Sequence, residues 1–262
     1  MPELPEVEIQ RKYFNSTSLN KKITKITLQS EEILEKISKK KLIEKLEGEK
    51  FTETRRYGKY LFSHIDNESW LAVHFGMTGK LEFLKTSNDK PAYTKLFITF
   101  SDETHLAYTS IRKLGTLTLT PSVEKFVEKK QLGPDALDLD FKTFESILSN
   151  RRGTIKYTLM NQKIIAGIGN LYSDEILFQS KIHPKKQSNE ITRENKKKLF
   201  KKLKEVLFTA IENDSYLESF PESYLIRHRN KNGNCPSCGT ELTRIKVLGR
   251  STYYCPNDQS PK

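Results

Sequence analysis

Apolar and polar positions alternate with a period of two in short segments between about residues 23 and 119, as in Tyr60-Leu61-Phe62-Ser63-His64, Lys95-Leu96-Phe97-Ile98-Thr99-Phe100 and Thr116-Leu117-Thr118-Leu119. That period sends successive side chains to opposite faces of a strand. Turn residues such as Asp66-Asn67 and Ser101-Asp102 separate the runs, so this stretch is predicted to be β-rich. A helix is expected ahead of it, because Pro5 suits a first helical turn and Glu6 and Glu8 place negative charge where the helix dipole favours it. Leu132-Gly133-Pro134-Asp135-Ala136 breaks the pattern, and beyond it the period becomes helical. Phe144, Ile147 and Leu148 share one face, as do Leu199, Leu203, Val206 and Leu207. The lysines 196 to 198, 201, 202 and 204 read as the solvated face of that second helix. After Tyr224 the chain is compact, turn-rich and basic. The expected domains are therefore a β domain over 1–131, a helical domain over 132–224 and a metal-ribbon tail over 225–262.

Composition narrows the class. The 262 residues hold 45 Lys and Arg against 33 Asp and Glu, a net charge of +12 that favours a polyanionic partner, nucleic acid first. Apolar runs such as the one from Lys163 to Ile168 are too short to cross a bilayer, so no membrane association is expected. The acidic, proline-broken opening has no basic flank or apolar stretch of a secretion signal, and a cytoplasmic location follows as the expectation. Three cysteines confined to residues 235–255 cannot form a disulfide framework and point to metal.

The amino terminus carries the first candidate chemistry. Removal of Met1 would leave Pro2 as a secondary amine with an α-amino pKa of about 8, partly neutral at cellular pH. Such an amine can attack an aldehydic carbon and form an iminium, as a catalytic lysine does elsewhere. Glu3 and Glu6, within one helical turn, could donate or relay protons. By spacing alone, however, Pro-Glu-Leu-Pro-Glu is better read as an acidic helix start.

Met1-Pro2-Glu3-Leu4-Pro5-Glu6-Val7-Glu8 resembles the opening of the formamidopyrimidine-DNA glycosylase and endonuclease VIII family, with Leu4 matching the formamidopyrimidine branch. Further matches are Arg55-Arg56-Tyr57-Gly58-Lys59-Tyr60-Leu61, His74-Phe75-Gly76-Met77-Thr78-Gly79, Leu132-Gly133-Pro134-Asp135, the segment from Ile155 through Gly167-Ile168-Gly169-Asn170 to Pro184, and the cysteine tail. Nearly the whole length is covered. The resemblance implies an N-terminal β-sandwich with an opening helix, a helix-two-turns-helix domain and a zinc-ribbon-like hairpin, with damaged double-stranded DNA bound between domains by a monomer of bacterial type. It also implies a glycosylase with AP lyase activity on oxidised purines such as formamidopyrimidine or 8-oxoguanine. Pro2 would attack C1′, Glu3 would act as the general acid, Lys59 would assist β-elimination, and Arg250 would grip phosphate and assist δ-elimination.

For DNA binding the resemblance implies that Met77 fills the space left by a flipped nucleotide, partly restoring the stacking that flipping costs. Arg112 would meet the orphaned base with paired donors. Leu114 stands where the family has an aromatic wedge, and Tyr93 where it often has a DNA-contacting histidine. Two glycines before a helix let backbone N–H groups approach a phosphate, with Asn170 and Lys156 completing the clamp and Arg151 and Arg152 as further phosphate contacts.

The tail reads Cys235-Pro-Ser-Cys238, then sixteen residues, then Cys255-Pro-Asn-Asp258. Two Cys-x-x-Cys knuckles at this separation would form a zinc ribbon, but aspartate holds the fourth place. One zinc per chain, weaker than on four cysteines, is expected on Cys235, Cys238, Cys255 and Asp258, with His228 a poorer substitute and a metal-free hairpin held by packing as the alternative. No glycine occurs between Asn170 and Gly233, whereas the family's purine-lesion enzymes usually place a glycine-bearing capping loop there. An endonuclease VIII-like preference for oxidised pyrimidines, or AP-site cleavage, is therefore the nearest alternative, and a non-catalytic binder of damaged DNA is the alternative from another class.

Overall fold

The computed structural model describes residues 2–260; Met1, whose removal the proline chemistry requires, lies outside them, as do residues 261–262. The chain divides into two compact units, Met1–Gln131 and Leu132–Lys262.

The first unit opens with α1 (Leu4–Ser18) and continues through β1 (Ile23–Leu28), α2 (Lys39–Leu46), β2 (Phe51–Tyr57), β3 (Tyr60–Ile65), β4 (Ser69–His74), β5 (Lys80–Leu84), β6 (Thr94–Phe100), β7 (His105–Thr109), β8 (Thr116–Thr120) and α3 (Val123–Lys130). Its strands form two antiparallel four-stranded sheets, ordered β1-β6-β7-β5 and β2-β3-β4-β8. Leu61, Leu71, Val73 and Leu117 from one sheet meet Leu81, Leu96, Ile98 and Leu106 from the other in a single buried core, joined by Val7 and Phe14 of α1. The result is the expected sandwich with its opening helix. The alternation did not reveal α2 and α3. Both are short helices capped by a serine, Ser38 or Ser122, whose hydroxyl accepts an N–H three residues on.

The second unit holds α4 (Phe141–Ser149), α5 (Ile155–Met160), α6 (Asn170–Ser180), α7 (Arg193–Glu212), α8 (Leu225–His228) and the hairpin β9 (Thr243–Val247) and β10 (Arg250–Tyr254). Phe144 and Leu148 of α4 and Leu199, Leu203, Val206 and Leu207 of α7 are buried, as the helical period requires. The solvated-face reading of the α7 lysines needs correction at two positions. Lys196 is buried, with Nζ donating to Ser149 Oγ at 2.8 Å, and Lys204 donates to the carbonyl of Leu137 at 2.5 Å. Long aliphatic stems let both ammonium groups reach polar partners across the packed face.

Candidate active site and DNA-binding surface

Glu3 is the N-cap residue of α1, and Pro2 stands just before it. Glu3 and Glu6 form a reciprocal capping box, in which the Glu3 carboxylate accepts the Glu6 N–H and Glu6 Oε2 accepts the Glu3 N–H at 2.7 Å. This locks the backbone beside Pro2 and commits a Glu6 oxygen to geometry. The Glu3 side chain is buried, as few carboxyl groups are.

Lys59 sits with Gly58 in the two-residue turn that joins β2 to β3, where Tyr57 pairs with Tyr60. Gly58 has φ +54°, a left-handed conformation that a side chain resists. Arg56, to which the spacing of the chain assigns no role, ties this turn to α1: Nη1 donates to the Gly58 carbonyl at 3.3 Å and Nε lies 3.3 Å from Glu8 Oε2. His74 is a second such residue. Its ring centroid stands 4.9 Å from that of Tyr60, and Nδ1 accepts the Gly76 N–H at 3.2 Å. Burial, with the nearby cations Lys59 and Lys130, holds the imidazole down at about 4, so it is neutral at cellular pH. With Nδ1 accepting, the proton of the neutral ring belongs on Nε2. Only the tertiary pairing of β3 with β4 brings His74 to Tyr60.

Met77, Arg112 and Leu114 come together on two interlocked loops. Thr78 Oγ1 accepts the N–H groups of Ile111 and Arg112, each at 3.1 Å. Gly76 (φ +62°) approaches so closely that a Cβ there would lie 2.5 Å from the Leu114 carbonyl carbon. Met77, Ile111 and Leu114 are all exposed apolar side chains on these loops, with the Arg112 guanidinium beside Met77. Tyr93 is exposed next to this loop, and its carbonyl accepts the Ser110 N–H at 3.1 Å.

In the second unit Gln162 braces the glycine turn, accepting the Gly167 N–H at 2.9 Å and donating to the Ile168 carbonyl at 2.8 Å. Asn170 opens α6 and gives an amide hydrogen to the Ser251 carbonyl at 2.9 Å. Arg151 and Arg152 are exposed on the loop before α5, and Arg250 is exposed at the start of β10.

Lys156 corrects the expectation of a phosphate clamp. Its side chain is 0% exposed, and Nζ donates to Asp174 Oδ1 at 2.5 Å and to Thr252 Oγ1 at 2.6 Å. The ammonium is enclosed among α5, α6 and β10 and does not reach a ligand at the surface. Arg229 completes the pairing of Asp174 from the other side at 2.9 Å. Burial pushes the Asp174 carboxyl up, while Lys156 and Arg229 pull it back toward the charged form.

The tail brings Cys235, Cys238, Cys255 and Asp258 together, with one ligand atom of each within 4.8 Å of the others. Sγ of Cys238 lies 3.5 Å from Sγ of Cys255, and Sγ of Cys235 lies 3.7 Å from Asp258 Oδ2. Zinc–sulfur bonds of about 2.3 Å in a tetrahedron give edges of about 3.7 Å, so these residues fit the ion. Ser237 N–H and Asp258 N–H each point to a cysteine sulfur at 3.4 Å, as a thiolate requires. His228 is turned elsewhere, with Nε2 2.9 Å from the Glu222 carbonyl. Gln259 closes the second knuckle: it is fully buried, accepts the Cys255 N–H at 2.9 Å and donates to the Ile182 carbonyl at 2.8 Å.

Three family profiles match in succession: the formamidopyrimidine-DNA glycosylase N-terminal domain over residues 1–117, the formamidopyrimidine-DNA glycosylase H2TH domain over 132–220, and a zinc finger found in FPG and IleRS over 234–261. Relatives named formamidopyrimidine-DNA glycosylase include one from Ligilactobacillus salivarius, 34% identical over 100% of both chains, and one from Lactobacillus gasseri, 31% identical over 99% of both. Among solved structures, the Lactococcus lactis enzyme in complex with DNA containing FAPY-dG superposes with a TM-score of 0.90 at 30% identity, covering 98% of this chain and 100% of that one. The same enzyme bound non-covalently to DNA with an AP site gives 0.90 at 30%, covering 98% and 99%.

Proposed function

The chain belongs to the formamidopyrimidine-DNA glycosylase family, and we propose that it excises oxidised purines from double-stranded DNA through its terminal proline and then cuts the strand twice. It is a base-excision-repair enzyme, a DNA glycosylase with AP lyase activity. The observation that carries the mechanism is the Pro2-Glu3 pair fixed at the head of α1 by the Glu3–Glu6 capping box.

The Pro2 nitrogen attacks C1′ of the damaged nucleotide and gives up its proton, and the bond from C1′ to the base breaks with the base taking the electron pair and a proton. Glu3 gives its proton to O4′ as the C1′–O4′ bond opens, leaving an iminium between C1′ and the proline nitrogen. The iminium acidifies C2′–H. Loss of that proton, assisted by Lys59, expels the 3′ phosphate. A second proton loss, from C4′, expels the 5′ phosphate with Arg250 on the departing anion, and water then releases Pro2. Met77 and Leu114 fill the vacated stack, Arg112 meets the opposite base, and Tyr93, Arg151, Arg152 and Asn170 supply further DNA contacts. DNA is bound by a monomer in the cytoplasm. Cys235, Cys238, Cys255 and Asp258 would hold one zinc ion per chain, which would supply a cross-link stiffening the hairpin. The chain's own residues do the chemistry.

Sodium borohydride tests this reading, since it reduces an iminium to a permanent link with lesion DNA. Processed protein is expected to trap, and protein shown by mass spectrometry to retain Met1 is not. Normal trapping by the unprocessed chain would refute the Pro2 mechanism. Glu3→Gln should lose base release by about 10²–10⁴-fold with DNA binding intact.

A second reading of the substrate rests on one observation. Only Pro221 to Tyr224 join the turn ending at Ser219-Phe220 to α8, which leaves little chain to cover a large base. A panel of oxidised purines, oxidised pyrimidines and AP sites separates the readings. Faster cleavage of the last two would move the chain toward endonuclease VIII-like specificity.

A further inference from the structure

Arg250 stands directly after the Leu248-Gly249 turn of a two-stranded hairpin, opposite Val247. A lone pair of strands is marginally stable in water, so its position depends on what it is fastened to. The three residues that follow are fastened in turn to the helical module. The Ser251 carbonyl accepts from Asn170 Nδ2 at 2.9 Å and from Arg229 Nη2 at 3.1 Å. Tyr253 N–H donates to Asp174 Oδ2 at 3.2 Å. Between them Thr252, fully buried, accepts from Lys156 Nζ at 2.6 Å and turns its own hydroxyl proton to the Arg250 carbonyl at 3.3 Å.

The Thr252 hydroxyl therefore links the buried Lys156 ammonium to the backbone of Arg250 itself. A buried ion pair returns little net stability, because desolvation offsets much of the attraction. Fixing a geometry is the better account of a lysine placed here. We propose that Lys156 and Thr252 are positioning residues for the second strand-breaking step, holding the Arg250 backbone so that its guanidinium meets the phosphate leaving from C5′. This rests on the role given to Arg250 above. It predicts an effect confined to that step, since Pro2, Glu3 and Lys59 belong to the other unit.

The test follows the ends left on an AP-site duplex by the full, processed protein. β-Elimination alone leaves an unsaturated aldehyde at the 3′ end, whereas β,δ-elimination leaves a 3′ phosphate. Thr252→Val removes the hydroxyl but keeps the shape and leaves Lys156 with Asp174. It is expected to shift the products toward β-elimination alone by about tenfold, in line with the cost of misplacing a reacting group by less than about 1 Å. Borohydride trapping and zinc content should stay at wild-type levels, and Thr252→Ser, which keeps the hydroxyl, should restore the product ratio. If valine disturbs the hairpin, as zinc loss would reveal, Thr252→Ala provides the same deletion without the added methyl groups. A wild-type ratio in Thr252→Val or Thr252→Ala, or an equal fall in trapping and both eliminations, would overturn the proposal. Arg250→Ala is run beside them. If it leaves the ratio unchanged, the Arg250 assignment has failed; if it shifts the ratio and the Thr252 variants do not, the positioning role has failed.

Discussion

The Arg112 guanidinium lies 3.1 Å from the Met77 sulfur, although the two residues are 35 positions apart. Gly76 and Thr78 make this possible, the first by allowing close approach of the two loops and the second by accepting two N–H groups from the Arg112 loop. A flipped nucleotide and its orphaned partner would be met by one interlocked pair of loops.

Arg112→Ala should therefore alter discrimination among the four bases opposite the lesion, a bidentate pair to a base edge being worth about 1–3 kcal/mol. Cleavage rates on four otherwise identical duplexes measure it. Unchanged ratios would remove Arg112 from that role.

Burial of Lys156 separates two substitutions of a cation by a neutral residue that composition would treat alike. Lys156→Met leaves Asp174 with Arg229 and the Tyr253 N–H, so it should lower the unfolding free energy by less than the about 3–5 kcal/mol of a wholly uncompensated buried charge. Because Arg250 keeps its own charge, the slope of DNA affinity against salt should fall by much less than on removal of Arg250. Arg250→Ala should do the reverse, with little effect on stability and a slope reduced by about 0.9, the amount due to one neutralised phosphate.

Two buried groups give acid-dependent stability of opposite sign. Burial pushes the Glu175 carboxyl up to about 7, although it accepts the N–H groups of Leu225 and Ile226. Between its unfolded value and about 7 the folded chain holds a proton that the unfolded chain has released, so this contribution falls as pH rises through that window. His74 is the reverse. Below its unfolded value the unfolded chain takes up a proton that the folded one refuses down to about 4, so stability falls as pH drops. Urea midpoints at about pH 5 and about pH 7 check both. Relative to wild type, Glu175→Gln should lose midpoint at the lower pH more than at the higher, and His74→Gln should lose less at the lower pH than at the higher.

Exchanging a thiolate for the harder Asp258 carboxylate weakens zinc retention, while Lys181, 3.8 Å from Oδ1, competes for the same carboxylate. Asp258→Cys should slow zinc release to a chelator and raise the thermal midpoint of the tail. Metal analysis of protein purified without chelator should find close to one zinc per chain. Protein with full strand cleavage and only a trace of zinc would show a hairpin held by packing alone.

Features written into local spacing were legible from the chain: the alternation of the sandwich strands, the buried face of α7 and the knuckle cysteines. What stayed hidden depends on partners distant in sequence. Nothing near Lys156 announces that Asp174, 18 positions on, and Thr252, 96 positions on, converge on its ammonium, so it read as a phosphate ligand. His74 escaped notice for the same reason, its neutrality arising from burial and from Lys59 and Lys130. Lys39–Leu46 was hidden by its composition, for two buried leucines at a spacing of four are too few to outweigh the strand pattern around them.

The buried amide of Gln259 sets an order of events during synthesis. It both receives the Cys255 N–H and grips the Ile182 carbonyl, so the second knuckle cannot settle against the helical module until residue 259 has left the ribosome. The sandwich and the helices can fold while translation continues. The cysteine cluster waits for residue 259, and a chain cut just before it would have a finished amino-terminal unit and a hairpin that never closes.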